Sequence, residues 1–255
     1  MNTQLDHLSY SSISSYLLCA RAWKFHYLEK IETPTSPELV FGSAFHGAVE
    51  THIKKGGSEL MGAWLESWNT NVEGKQIAWG ADTPESFFNQ GVKMLSDPKV
   101  QYELSCLKPA IENEKPMIET RVTLKVPGVP IPLIGYIDII TQDNVPGDFK
   151  TSARSWTSDK AASETQSLFY LAALNQMGRP TPGWEFRHYI FVKTKTPQVQ
   201  VLPHTHKASE MFWLFGMIQN VWKGIEAGVF PENPTGWKCN PAMCDFWNLC
   251  RGKYD

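Results

Sequence analysis

Asp138 ends the run Gly135-Tyr136-Ile137-Asp138, and Asp148-Phe149-Lys150 follows ten residues later. The residues between Ile131 and Ile140 are almost all apolar, which predicts a central strand, and Asn144 to Lys150 includes the next one. A carboxylate inside such a run is costly unless a metal or a partner satisfies it. Side chains in a strand alternate between faces, so Asp148 and Lys150 share one. Two carboxylates can share a divalent cation, which polarises a scissile phosphate and lowers the pKa of an attacking water. An ammonium beside them can steady the hydroxide or the developing negative charge. The chemistry implied is phosphodiester hydrolysis, against the plainer alternative of solvated charges at strand ends.

The elements that would position these groups follow from patterning. Ser163–Leu174 reads as an amphipathic helix with Ser158 or Asp159 as its cap, and Gln166 and Tyr170, four apart, fall on one face. Upstream, Phe41–Glu50 reads as a turn entering a helix capped by Ser43, which places His46 in the first turn and Glu50 one turn on. Imidazole suits manganese-type metals in an otherwise oxygen-rich site. Helix is also expected over residues 11–29, with Ile13, Tyr16, Leu17, Trp23 and Tyr27 inward. Further helices are expected near 43–54, 58–71, 83–105 with a break at Pro98, and 207–228. Pro34-Thr35-Ser36-Pro37 reads as a loop. The alternation of Val122, Leu124 and Val126 predicts a half-buried strand, and 184–193 with 198–202 predicts a pair. The fold class expected is α/β: a mixed central sheet flanked by helices. It is treated as a single domain over 1–255, divided into a mainly helical region (1–110), a sheet core (117–205), and a C-terminal helix with a cysteine-bearing tail (207–255).

Five cysteines are present, and Cys239-x4-Cys244-x5-Cys250 crowds three of them into the last seventeen residues. With Cys19 as the fourth, they could hold a structural zinc ion or an iron–sulfur cluster. No pair of short CxxC hooks is present, which favours the cluster over a zinc ribbon. Cys106 reads as an ordinary helix residue. Clustered cysteines without a signal peptide point to a cytoplasmic setting rather than to disulfides.

Lys plus Arg number 24 and Asp plus Glu 26, so net charge is −2 and no global basic signature is present. Any nucleic-acid footprint must therefore be local. Arg154, Lys160, Lys193 and Lys195 are the candidates near the strands. Lys223, Lys238, Arg251 and Lys253 are the candidates near the tail. No apolar run reaches the roughly 18–20 residues needed to span a bilayer.

The ordered set of motifs resembles the PD-(D/E)xK nuclease superfamily, in particular its RecB-like branch of AddB-type and CRISPR-associated exonucleases with a four-cysteine cluster. His46 matches the motif-one histidine, Asp138 the GxxD aspartate, Asp148 and Lys150 the (D/E)xK pair, and Gln166 and Tyr170 the QxxxY motif. Cys19, Cys239, Cys244 and Cys250 match the cluster ligands. The chain departs from the pattern in having Ala20 where proline is frequent, Asp rather than Glu at 148, and a longer gap between Cys239 and Cys244.

The resemblance implies a restriction-endonuclease-like core and a phage or bacterial deoxyribonuclease. His46, Asp138, Asp148 and the backbone carbonyl of Phe149 would hold Mg²⁺ or Mn²⁺, and a 4Fe–4S cluster (or zinc) would sit on the four cysteines. The implied substrate is DNA, single-stranded or with free ends, in recombination, repair or phage DNA processing, with a recombination or CRISPR-type protein as possible partner. A flap or structure-specific endonuclease and a DNA-binding accessory protein are the alternatives.

Overall fold

A computed structural model describes residues 5–252. They form two compact units built from interleaved stretches of chain. The first takes residues up to Pro34, Thr123–Gly135, and the chain from Ser209 onward; the second takes Thr35–Val122 and Tyr136–Ala208. Among the described residues no helix is long and apolar enough to cross a membrane.

The second unit opens with α3 (Pro37–Lys54), which packs with α4 (Leu60–Val72) and α5 (Pro84–Leu95); α6 (Pro98–Cys106) follows. The short hairpin β1 (Ile111–Glu112) and β2 (Lys115–Pro116) leads into β3 (Ile118–Leu124), β4 (Leu133–Ile140) and β5 (Pro146–Ser152), of which Thr123, Leu124 and residues 133–135 count with the first unit. Two helices, α7 (Ser158–Ser163) and α8 (Thr165–Gln176), cross over to β6 (Glu185–Val192), and β7 (Gln198–Thr205) returns beside it. The sheet order is β3-β4-β5-β6-β7, with β4/β5 and β6/β7 antiparallel and β5/β6 parallel. A parallel pair needs a long crossover, and the α7–α8 segment supplies it. Gly147 lets β5 and β6 close up: a Cβ there would stand 2.6 Å from the Tyr189 ring.

The core of this unit is aromatic. Phe41, Phe45, Trp64, Trp68 and Phe87 of the helices meet Phe149, Tyr189 and Phe191 of the sheet. Phe149 and its neighbours Asp148 and Lys150 therefore point to opposite faces of β5, as alternation requires.

The first unit contains α1 (Tyr10–Leu18), the short α2 (Ala20–Trp23) and a π-helical turn over Lys24–Leu28, with α9 (Glu210–Glu226) and α10 (Trp247–Cys250) from the far end of the sequence. Trp23 is fully buried, stacked on Tyr27 and Phe230, and its Nε1 donates to Ser12 Oγ at 3.0 Å. Tyr16 donates to the Val229 carbonyl at 2.6 Å, Asn233 donates to the Leu18 carbonyl at 2.9 Å, and Arg21 pairs with Glu232 at 3.0 Å.

Several sequence expectations shift. The helix carrying His46 begins at Pro37, capped by Ser36, whose Oγ accepts from Leu39 N; Ser43 is interior. Proline at the first helical position costs no hydrogen bond, so the Ser36-Pro37 pair starts a helix where a loop was expected. His46 consequently lies past the first turn. The helix over 158–176 is two helices: Thr157 caps the first, and Glu164 at φ −74, ψ 101 interrupts, so Gln166 stands in the first turn of α8. The helix expected over 11–29 breaks at Cys19, whose backbone is extended at φ −163, ψ 105. The strand expected around 122–126 is β3, which starts at Ile118 and stops before Val126.

Candidate active site

The register Ile139↔Gly147 and Ile140↔Pro146 carries Asp138 level with Asp148 one pair further along. Both carboxylates are buried, at 8% and 3% exposure. Asp138 Oδ2 accepts from the backbone N–H of Phe149 at 2.6 Å. Lys150 Nζ stands 2.7 Å from Asp148 Oδ2, and the two form a buried ion pair. Lys150 also donates to Gln166 Oε1 at 3.0 Å, and Gln166 Nε2 donates to the Tyr170 hydroxyl at 2.9 Å. A continuous chain thus runs Tyr170–Gln166–Lys150–Asp148, with α8 holding the amide and phenol over β5. From α3, His46 Nδ1 lies 3.7 Å from Asp138 Oδ2, and its ring meets Phe149 edge-on.

The electrostatics follow from crowding. Burial, then the charge of Asp148, push the Asp138 carboxyl well above the usual carboxylate range. Burial pulls the Lys150 ammonium down, but the charge and hydrogen-bonding of Asp148 outweigh it and leave the pKa raised. Burial lowers the His46 imidazole to about 4 against the opposing pull of Asp148. The ring keeps 28% of its side-chain surface open to solvent. Tyr170 is held neutral, mainly by burial and then by the nearby aspartates.

Two groups here were not singled out from sequence. Glu119, on β3, lies in the field of Asp138 and Asp148, and its own pKa is raised by burial and by Glu50. His188 is the cross-strand partner of Asp148, fully buried, stacked on His204 with ring centroids 5.1 Å apart, and neither ring nitrogen has a hydrogen-bond partner. A glutamate ahead of an alternating strand and a histidine within an apolar one carry no local signal of a shared site. The sheet register alone brings them together.

The donors are hard oxygens with one imidazole, the set that Mg²⁺ or Mn²⁺ takes. Among the described residues, however, no three His, Cys, Asp or Glu side chains converge as a ready cage. Lys150 occupies Asp148, and the Phe149 N–H occupies Asp138. The same holds for the cysteines. Cys19, Cys239, Cys244 and Cys250 are half-buried free thiols in the first unit. Cys244 feels the charges of Cys19 and Cys239, and Cys250 those of Cys19 and Cys244, yet they do not close to ligand distance. Burial is the leading cause of the raised pKa of both Cys244 and Cys250, which favours the neutral thiols.

Of the basic candidates, Lys193 donates its backbone N–H to Ser152 at the end of β5, and its ammonium lies 4.7 Å from the Phe41 ring centroid. Lys160 sits 4.0 Å over Trp156. Arg154 and Lys195 are exposed.

Residues 7–251 match the profile of the PD-(D/E)XK nuclease superfamily. The chain belongs to that superfamily. Its fold is similar to the crystal structure of a candidate exonuclease from Eubacterium rectale, with a TM-score of 0.59 at 13% identity over 97% of this chain and 94% of that one. At that identity the likeness speaks to fold: an α/β, restriction-endonuclease-like sheet with flanking helices. No curated protein sequence matches the chain significantly.

Proposed function

We propose that this member of the superfamily is a metal-dependent deoxyribonuclease that hydrolyses the phosphodiester bonds of linear, single-stranded DNA from its ends, in recombination, repair or phage DNA processing. The observation that carries the reading is the chain Tyr170–Gln166–Lys150–Asp148 set beside Asp138. It supplies a buried carboxylate pair and a cation whose direction is fixed by an amide rather than left to rotate. Asp138, Asp148, the Phe149 carbonyl and His46 would hold Mg²⁺ or Mn²⁺. A bound ion supplies Lewis acidity toward the phosphate and a water of lowered pKa. Lys150 is kept charged by Asp148 and aimed by Gln166. It orients the attacking water and stabilises the negative charge that builds on the phosphoryl oxygens. Gln166 uses both ends of its amide, one on Lys150 and one on Tyr170, so neither is free to turn away. Lys193 and Arg154, close to the end of β5, would meet the DNA backbone.

Cys19, Cys239, Cys244 and Cys250 have the composition of a 4Fe–4S site or a structural zinc site in the first unit, where either would reinforce the Arg21–Glu232 and Asn233–Leu18 ties.

The test uses anaerobically purified protein with Mn²⁺ or Mg²⁺, offered end-labelled linear DNA beside circular DNA, with Lys150→Ala as control. Metal-dependent loss of the linear DNA alone, absent in the variant, is the expected result. Cutting of the circle would replace the exonuclease by a structure-specific endonuclease. Binding without cleavage of either substrate would make the protein a DNA-binding accessory factor.

A further inference from the structure

A cavity of about 740 Å³ lies in the second unit, between the end of α3, the start of α4, the end of α6 and the β1–β2 hairpin, with Gln142 just past β4 in its wall. That volume is inside the roughly 300–1,000 Å³ of small-molecule sites. Much of the wall is aliphatic: Ile53 and Leu104 are buried, and Ile111 lies 63% exposed although apolar. Its charged or titratable side chains are His52, Lys54 and Lys108, with no carboxylate among them. Acids outnumber bases 26 to 24 in the whole chain, so this selection is not a matter of composition. Of the three, only Lys54 has an ion-pair partner among the described residues, Glu50 one turn back on α3. The loop that carries Lys108 is anchored, because its carbonyl accepts from Gln142 N at 2.9 Å and Pro109 bridges to Thr141. Gln101 is fixed by donating to the Leu95 carbonyl at 3.0 Å, and the His52 ring by its 3.2 Å contact with the Ser58 carbonyl. A few fixed polar groups on an apolar wall are the mark of a site for a ligand with an apolar body and a polar end. Here that end is anionic.

We propose that this cavity binds a nucleoside monophosphate unit, the terminal nucleotide of the DNA strand, with its phosphate on Lys108 and Lys54 and its base against Ile53, Leu104 and Ile111. The place of the cavity on α3 selects the strand over a free nucleotide. His46, Glu50 and Lys54 follow at four-residue spacing, so neighbours in the series meet on the helix surface. Lys54 therefore stands only about 12 Å along the helix axis from His46. A strand whose phosphodiester lies at the Asp138 centre has its end within reach of the cavity. The assignment to the strand rests on the reading of that centre as a nuclease; the assignment to a nucleotide rests on the cavity alone.

The experiment titrates the full-length protein with dAMP and with deoxyadenosine by calorimetry in metal-free buffer. It then asks, by fluorescence anisotropy, whether dAMP displaces a labelled single-stranded oligonucleotide. Wild type is compared with Lys108→Ala, Ile111→Trp and Lys150→Ala. Ile111 is exposed, so a tryptophan there fills the cavity from outside the core. Expected is dAMP binding about 10- to 100-fold tighter than that of deoxyadenosine, with a loss of similar size in Lys108→Ala, because hydrogen bonds to a charged group are the strong ones. Ile111→Trp should bind no dAMP, Lys150→Ala should bind it as wild type does, and dAMP should displace the oligonucleotide. Absent dAMP binding, equal binding of deoxyadenosine, or binding unchanged in both Lys108→Ala and Ile111→Trp overturns the site. Loss of binding in Lys150→Ala puts the nucleotide at the Asp138 centre and overturns it as well. Binding as expected without displacement of the oligonucleotide overturns the assignment to the strand and makes a free nucleotide the occupant. Protein that behaves as expected in every titration yet cuts no DNA overturns the nuclease reading and leaves the nucleotide site standing. Should Ile111→Trp fail to fold, Lys108→Ala, at an exposed loop position, decides.

Discussion

The two units hold their reactive groups in opposite ways. In the second unit, Asp138, Asp148, Lys150, Gln166 and Tyr170 are buried or half-buried on sheet and helix, and each already has a protein partner. In the first unit, Cys19 lies at the break between α1 and α2, Cys239 and Cys244 between turns, and Cys250 at the end of α10, all as half-buried thiols without mutual bonds. One site is organised by the fold before any ligand arrives. The other would be organised by what it binds. Rigid elements place side chains more closely than loops do, so the first kind of site suits bond-making and the second suits cross-linking.

Breaking each site should therefore hurt in a different currency. Lys150→Ala should lower the cleavage rate by on the order of 10²- to 10³-fold while DNA binding is retained, as read from gel shifts beside turnover. Cleavage near the parent rate would remove Lys150 from the site. Cys244→Ala should instead lower the thermal midpoint by on the order of 10 °C and deplete bound metal, leaving turnover per folded molecule close to wild type. A variant that melts like the parent, carries no metal and still cuts DNA would end the idea of a stabilising centre.

Acid sharpens the contrast on the buried side. Burial, resisted in part by Asp148, lowers the His188 pKa from 6.5 to about 4. The folded protein thus refuses a proton that the unfolded chain accepts. The associated stability is complete above pH 6.5 and is lost as pH falls toward 4, by about 2 kcal/mol at pH 5. Chemical denaturation of His188→Leu between pH 8 and 5 should show a flatter profile than wild type. Equal slopes would mean that His188 is not the group that titrates. The smallest effect expected is that of Tyr170→Phe. It removes one hydrogen bond from Gln166, worth about 1 kcal/mol, and should slow cleavage by roughly fivefold without altering the fold, measured as kcat against melting temperature.

Alternation along β5 was enough to put Asp148 and Lys150 on one face, and four-residue spacing was enough to put Gln166 near Tyr170. Both are properties of a single element and need no tertiary information. The start of α3 was missed because Ser36-Pro37 carries a loop signal and a helix-start signal at once, and only packing decides between them. The division of α7 from α8 at Glu164 has no proline or glycine to announce it. Glu119 was invisible for a different reason. Its place depends on a left-handed backbone inside β3 that glutamate disfavours, so propensity argues against what the sheet imposes.

The first unit draws its chain from residues up to Pro34, from Thr123–Gly135 and from Ser209 onward. During synthesis its N-terminal helices leave the ribosome long before their last partners. At ordinary rates of about 5–20 residues per second, the 174 residues from 35 to 208 take on the order of 10–35 s to make. Throughout that interval Trp23 lacks Phe230, and Cys19 lacks the three cysteines of the tail. The second unit can thus be complete while its companion still waits, and the stacking of Trp23 on Phe230 comes among the last steps of folding.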